Sequence, residues 1–512
     1  MDFSELRRNS AAIRYIFVAV VCAAIVGGVV LCNGPEASAQ QARGDYSDVR
    51  ELPDGIVGER IVELLDVINS NDAEKTRTFI EERFTAAFRG MAPMEQHLEI
   101  AASLYEQSHG FEFYSIRKYK AKTPPSEFVV IVRNKLTQAW QAFVLNIETE
   151  PPHLIAGMQF APARPPSNLS PSKNLADKAI AEELDAFSKR LADAGVFSGT
   201  VLLAKDGEVL FKGAFGLASK RFNVPNRIDT KFNLGSMNKM FTSVAIAQLV
   251  QRGKLSLDDR LSKFASADWL PREITEKIAV KHLLTHTSGL GSYFNDRFVQ
   301  SSRLLFRDVD DYKPLIKNET LAFEPGTDWS YSNTGMFLLG VVIEKVTGQS
   351  YFDYVRENIY GPAGMINSDC YDMDKPVPNL AIGYSKEGDG WSNNLYEHVV
   401  RGGPAGGGFS TVEDLFRFAQ ALRSHKLLNP EYTEMVWSAK PELNSPSYGF
   451  GFSIDGTPED RIVGHGGGFT GINSNLDIFL DSGYTAVVMS NYSRGAIPIE
   501  TKMRELIAAR KR

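Results

Sequence analysis

The chain is poor in cysteine, with three in 512 residues, which excludes a disulfide scaffold. Two of them, Cys22 and Cys32, fall in an N-terminal apolar run, so the remainder keeps only Cys370 and forms no intrachain disulfide. Cys370 has no base or motif beside it and reads as a small buried residue. An excess of positive charge is also missing. Lys and Arg number 56 against 62 Asp and Glu, giving a net charge of −6 and a pI near 5.9. A dedicated nucleic-acid binder needs a basic face to neutralise phosphates, so that class is excluded. A mean hydropathy of −0.20 excludes a polytopic membrane protein. His97, His109 and His153 lack carboxylate or cysteine partners at ligand spacing, so they imply no metal.

What is present begins with an export signal. Arg7, Arg8 and Arg14 precede an apolar run over residues 15–32, followed by Asn33-Gly34-Pro35 and the small-residue pattern Ala37-Ser38-Ala39. Residues 1–39 therefore read as a signal peptide cleaved after Ala39, or as an uncleaved anchor, since the run is nearly long enough to span a bilayer. Both keep the arginines in the cytoplasm and send the rest to the periplasm or outside, with membrane contact only through this segment if it is uncleaved. A hydrophobic fraction of 43% with 11% aromatics supports sizeable cores and excludes a largely disordered chain.

Two folded units are expected. Residues 45–160 open with helical periodicity at Ile56, Ile61, Leu64, Leu65 and Ile68, with a second helix after Asn71-Asp72 and a third over 94–107. After His109-Gly110 the period switches to two, and strands are expected at 128–132, 139–147 and 154–160. Three helices followed by an antiparallel sheet make a small α+β domain whose order resembles the cone-shaped fold of nuclear transport factor 2. Residues 161–172, dense in proline, read as a linker. The larger domain, 173–512, starts with an amphipathic helix (Leu175, Ile180, Leu184, Phe187, Leu191) and a hairpin turning at Asp206-Gly207. Helices fill its middle, and strand-like runs return at 448–454, 475–480 and 484–489 before a last helix near 500–509. This order implies one antiparallel sheet assembled from both ends with a helical subdomain inserted.

The chemistry-bearing residues lie in this larger domain. Ser236 and Lys239 stand three apart where a short strand-like run enters an apolar helix, so they share one face. A serine hydroxyl needs a base to become a nucleophile, and a lysine can supply one only when burial or neighbours lower its pKa. Alone, the pair reads equally well as a helix N-cap. Three further features follow in order: Tyr331-Ser332-Asn333 after the turn Glu324-Pro325-Gly326-Thr327, Pro404 to Thr411 with its run of glycines, and His465-Gly466-Gly467-Gly468 near the final strands. His286-Thr287-Ser288-Gly289 and Tyr448-Gly449-Phe450-Gly451 accompany them.

This ordered set, over residues 175–509, resembles the serine hydrolases related to class C β-lactamases and penicillin-binding proteins. The resemblance implies a β-lactamase/transpeptidase-like fold and an acyl-enzyme at Ser236, without metal or organic cofactor. It implies Lys239 as the activating group and Tyr331 as general base with tyrosinate character. Asn333 and His465 would orient the substrate, and Gly466, Gly467 and Gly468 would line it. Backbone N–H groups of Ser236 and Gly468 would form the oxyanion hole. Where β-lactamases carry lysine, this chain has His465, mostly neutral at pH 7. That leans away from β-lactams, toward small-molecule esters, amides or D-amino-acid peptides as partners. A non-catalytic member that binds cell-wall fragments or a protein partner in the same cleft is the second class of function.

Other signals are set aside. Gly466 to Gly471 fits G-x-G-x-x-G but is followed by a strand-like run where a dinucleotide site needs a helix. His282 and His286 are four apart without a following glutamate and read as packing. No G-x-S-x-G surrounds any serine, which counts against an α/β-hydrolase.

Overall fold

The computed structural model describes residues 45–120, 124–169, 174–387 and 390–510; the expected export segment lies outside them. Among the described residues no helix is long and apolar enough to cross a membrane. The chain divides into two compact units, Met1–Lys173 and Asn174–Arg512.

The first unit packs helices on one face of a five-stranded antiparallel sheet whose strands follow chain order. These are β1 (Tyr46–Val49), β2 (Phe111–Tyr119), β3 (Glu127–Asn134), β4 (Trp140–Ile147) and β5 (Ile155–Pro162). Helix α1 (Ile56–Ser70) buries Ile61, Leu64, Leu65 and Ile68, one stripe at 3.6 spacing, in a core with Phe111, Val130, Val132, Phe143 and Leu145. Helix α2 (Ala73–Arg83) starts where Asp72 accepts from the N–H groups of Glu74 and Lys75 at 3.0 and 3.1 Å. Helix α3 (Met94–Ser108) completes the layer.

Two features depart from expectation. A strand, β1, precedes the helices and pairs with β2. The proline-rich stretch does not leave the unit at residue 161, because β5 runs to Pro162 and the chain beyond it is held. Arg117, in a buried ion pair with Asp48 at 3.0 Å, donates to the carbonyls of Arg164 (2.9 Å) and Pro165 (3.3 Å). Ser167 N donates to Asp48 at 2.7 Å, and Tyr46 to the Pro165 carbonyl at 2.9 Å. Proline has no N–H to give a ladder, but its carbonyl still accepts, and the buried guanidinium uses it.

The second unit is built on a six-stranded antiparallel sheet drawn from both ends of its sequence. From the start come β6 (Gly199–Lys205) and β7 (Glu208–Phe215); from the end come β8 (Ser453–Thr457), β9 (Asp460–Phe469), β10 (Ile472–Phe479) and β11 (Tyr484–Ser490). The spatial order is β8-β9-β10-β11-β6-β7, with Tyr484 opposite Lys205 where the two ends meet. Strand β11 is buried along its whole length, which requires cover on both faces. Helices α4 (Asp177–Asp193) and α7 (Ile497–Ala508) pack on each other and on the sheet. Leu202, Ala204, Leu476, Ile478, Val487 and Met489 face a larger core shared with Phe241 and Phe418 of the inserted helices.

Helix α5 (Asn238–Gln251) is the axis of that insertion. Residues 238–249 are all buried, so the helix is enclosed on every side and its N-terminal end has a fixed place. The expected strand at 448–454 is a correction: pairing begins only at Ser453. Gly451 has φ +76, and a Cβ there would lie 2.0 Å from Ser243 Oγ of α5, so this segment is a loop pressed onto the helix.

Candidate active site

Ser236 sits in a single 3-10 turn, Gly235–Met237, that leads directly into α5. Gly235 takes φ +50, and a Cβ on it would lie 2.8 Å from Gly468 N, so the turn and the end of β9 are in direct apposition. The three glycines of that strand differ in purpose. A Cβ at Gly467 would fall 1.9 Å from the Leu234 carbonyl oxygen, so only glycine fits. At Gly468 the nearest protein atom would be 3.9 Å away, leaving room beside Ser236, and Gly466 is likewise exposed. Gly468 N thus lies against the turn that carries Ser236, with open space beside Gly468.

Lys239 lies one helical turn on and is wholly buried. Its Nζ is 3.1 Å from Ser236 Oγ, 2.9 Å from Asn333 Oδ1 and 2.6 Å from the Ala405 carbonyl oxygen. Two of these partners can only accept, whereas the serine hydroxyl can donate. An ammonium donates to all three; the neutral amine keeps its N–H bonds to Asn333 and Ala405 and can take the serine proton on its lone pair. Burial lowers the Lys239 pKa from its ordinary 10.5 to about 7, which agrees with that arrangement. Ser236 is not a helix cap, since α5 has no side-chain capping bond at its start.

The glycine-rich stretch 402–408 exists to bring Ala405 to this lysine. Asn238 Nδ2 donates to the Gly403 carbonyl at 3.2 Å, and Thr242 to the Pro404 carbonyl at 2.7 Å. Gly407 N donates to the Gly235 carbonyl at 3.1 Å. A Cβ at Gly406 would come within 2.9 Å of that same oxygen.

Tyr331 and Asn333 flank the start of helix α6 (Asn333–Thr347), with Ser332 between them as its N-cap, accepting from Gly335 N at 2.8 Å. Asn333 Nδ2 donates to Ser292 Oγ at 3.2 Å, so both ends of its amide are engaged and its orientation is fixed. Tyr331 hydrogen-bonds Ser236, and Lys239 Nζ lies 4.9 Å from its ring centroid. Desolvation raises the Tyr331 pKa above its ordinary 10. Desolvation acts against a phenolate and lowers the lysine, so a neutral Tyr331 is favoured over the tyrosinate that the resemblance implies, and Lys239 is the more available base beside Ser236.

His465 is neutral as expected, lowered to about 3 by burial and by the neighbouring Lys239. Its hydrogen bonds, however, run within the protein. Nδ1 is 2.5 Å from the Gly466 carbonyl, an acceptor only, so Nδ1 carries the proton and Nε2 accepts from Tyr448 O–H at 3.0 Å. His465 is thus a support for Tyr448, and not a group that offers an N–H to substrate. His286 has the opposite tautomer, because its Nδ1 accepts from Ser332 N at 3.1 Å. It is fully buried with its ring centroid 4.3 Å from that of Tyr331 and 4.7 Å from that of Tyr448. His286, set aside as packing, is packing for the site itself. His282 lies apart, with Nδ1 accepting from Ala279 N at 3.2 Å.

Sequence reasoning thus brought Ser236, Lys239, Tyr331, Asn333, His465 and the three glycines to one place and missed Ala405, Ser292, His286 and Tyr448. Three of these four lay in motifs that were visible but had no role; nothing in the sequence marked Ser292. Among the described residues no group of three or more His, Cys, Asp or Glu could hold a metal.

Comparison with known proteins agrees with this geometry. The profile of the Beta-lactamase family matches residues 184–509. A penicillin-binding protein of Bacillus subtilis (strain 168) is 32% identical over 327 residues, covering 60% of this chain and 71% of its own. Esterase EstB of Burkholderia gladioli is 27% identical over 400 residues, covering 67% and 99%. Among solved structures, a penicillin binding protein from Bacillus halodurans superposes with a TM-score of 0.57 at 31% identity, covering 65% and 99%. A D-stereospecific amidohydrolase from Streptomyces sp. gives 0.52 at 26%, covering 65% and 98%. The chain belongs to the Beta-lactamase family, as a serine hydrolase of the β-lactamase and penicillin-binding protein superfamily.

Proposed function

We propose that this chain is an exported hydrolase that cleaves esters or amides, D-amino-acid peptides among them, through an acyl-enzyme at Ser236. The observation that carries this reading is the buried Lys239, 3.1 Å from Ser236 Oγ and with its pKa lowered to about 7. Neutral Lys239 takes the Ser236 proton as Oγ bonds to the substrate carbonyl carbon. The carbonyl oxygen becomes an oxyanion held by N–H of Ser236 and Gly468. As the carbon–heteroatom bond breaks, Tyr331 gives its phenolic proton to the departing alcohol or amine and regains one from the Lys239 ammonium. Water then adds to the acyl carbon by the same path, returning Ser236. A relative named as an esterase and a structural neighbour named as a D-stereospecific amidohydrolase support this substrate range. His465, neutral and engaged within the protein, supplies no fixed charge for a β-lactam carboxylate, so cephalosporin turnover is expected to be slow. Residues 1–39 would deliver the chain across the membrane, and the first unit would act as an accessory module.

Intact-mass labelling of the purified chain with a fluorophosphonate tests the reading. One added phosphonyl group is expected on the wild type and none on Ser236→Ala. Absence of labelling, or equal labelling of both, overturns it.

A further inference from the structure

Elements tied to the strand end beside Ser236 carry several large apolar side chains exposed to solvent. Phe469 follows Gly468 directly, and its ring stacks on Phe294 with centroids 5.8 Å apart, leaving Phe294 43% exposed. Phe294 stands two residues beyond Ser292, the partner of Asn333. Thr470, next after Phe469, accepts from Asn394 Nδ2 at 2.8 Å, which ties the turn bearing Leu395 (39% exposed) and Tyr396 (91%) to the end of β9. Arg303 Nε then donates to the Glu397 carbonyl at 3.0 Å, anchoring a one-turn helix that carries Leu304 (69%) and Leu305 (62%).

The six apolar residues therefore sit on elements joined to the end of β9 by one ring stack and two hydrogen bonds. Isolated exposed leucines need no explanation, but several on elements tied to the strand end beside Ser236 point to a binding surface. Its charge complement fits an uncharged ligand. Arg303 is turned inward, with Nη1 2.8 Å from the Ser301 carbonyl and its guanidinium 4.0 Å above the Phe298 ring. His465 has both ring nitrogens engaged within the protein.

We propose that this rim is an acyl-chain subsite, and that the substrate of Ser236 is an ester or amide whose acyl part is an extended apolar chain without a terminal carboxylate. The inference rests on the reading of Ser236 as nucleophile and narrows its substrate class. The chain would run from the oxyanion site along Phe469 and Phe294 toward Leu304 and Leu305, removing methylenes from water along the way.

The test compares kcat/KM for p-nitrophenyl octanoate and p-nitrophenyl acetate, using the full chain. The wild type is expected to favour octanoate at least tenfold. The double variant Leu304→Ser, Leu305→Ser, with both positions exposed and so expected to fold, should lower that ratio at least fivefold, as should Phe294→Ala. A wild-type ratio near or below one, or a ratio unmoved by these variants, overturns the subsite. So does fluorophosphonate labelling of Ser236 with no octanoate turnover. A double variant that changes only the oligomeric state in sedimentation makes the patch a contact between copies of this chain, and the subsite is again overturned. If Ser236 takes no fluorophosphonate and neither ester turns over, the failure is that of the nucleophile assignment itself.

Discussion

A neutral lysine buried beside Ser236 leaves a mark on stability that can be measured without any substrate. In the folded chain Lys239 titrates near 7, against 10.5 when unfolded. Between those values the unfolded state holds a proton that the folded state does not, so stability rises with pH across this window. The slope for one group is about 1.4 kcal/mol per pH unit. Lysine is wholly buried here, so solvent screening does not dilute the effect. Replacing Lys239 by methionine keeps most of the volume and removes the titration. It also strands the Asn333 Oδ1 and Ala405 carbonyl acceptors, each at a cost of about 1–3 kcal/mol. The absolute change is therefore a small difference of opposed terms, while the change in slope is not. Urea unfolding of the hydrolase unit at about pH 7.5 and about pH 9.5 should show the wild type gaining about 2–3 kcal/mol more than the Lys239→Met variant over that interval. Equal pH dependence in the two proteins would mean that Lys239 is charged when folded, and the assignment of the base would fall with it.

Other outcomes follow from the same geometry. Tyr331→Phe should lower kcat for a p-nitroanilide about 100-fold or more, the scale of general acid catalysis, yet change fluorophosphonate labelling far less, because fluoride leaves without a proton. Stopped-flow turnover beside a labelling time course separates the two, and equal losses would contradict the role. Gly467→Ala should cost about 1–3 kcal/mol through its clash with the Leu234 carbonyl, whereas Gly468→Ala should melt near the wild type; calorimetry that reversed this order would refute the placement of β9. Asp48→Ala leaves Arg117 buried without its anion and should cost the first unit about 3–5 kcal/mol, visible as a displaced melting transition, and an unmoved transition would show that the clasp on residues 164–167 matters little.

Much of the fold and site was legible because the signals were local. The helices of the first unit declared themselves through stripes such as Ile61, Leu64, Leu65 and Ile68, and the hairpin at Asp206-Gly207 through its turn residues. Ser236 with Lys239, and Tyr331 with Asn333, are pairs within one turn of chain, so their spacing alone brought each together. Other features arose only from tertiary placement. No property of Ala405 marks its carbonyl as a lysine partner; that follows from the glycines around it fitting beneath Gly235. The protonation states of Tyr331 and Lys239 depend on desolvation, which periodicity does not measure and which favours a phenol over the expected tyrosinate. The His465–Tyr448 bond joins residues 17 apart on a strand and a loop. That loop alternates like a strand in sequence, yet the close approach of Gly451 to Ser243 takes it out of the sheet. Proline density, which marked residues 161–172 as a linker, gave no sign of the hold on Arg164 and Pro165, since it counts missing donors and overlooks carbonyls that a buried arginine can reach.

The central claim is that Ser236 becomes covalently acylated with Lys239 as its base. Its most direct test is the rate of intact-mass labelling by a fluorophosphonate as a function of pH. The account predicts a single adduct on Ser236, absent from Ser236→Ala, with a rate that rises through an ionisation near pH 7 and flattens above it. Labelling that ignores pH between about 6 and 9, or that persists in Ser236→Ala, would contradict it.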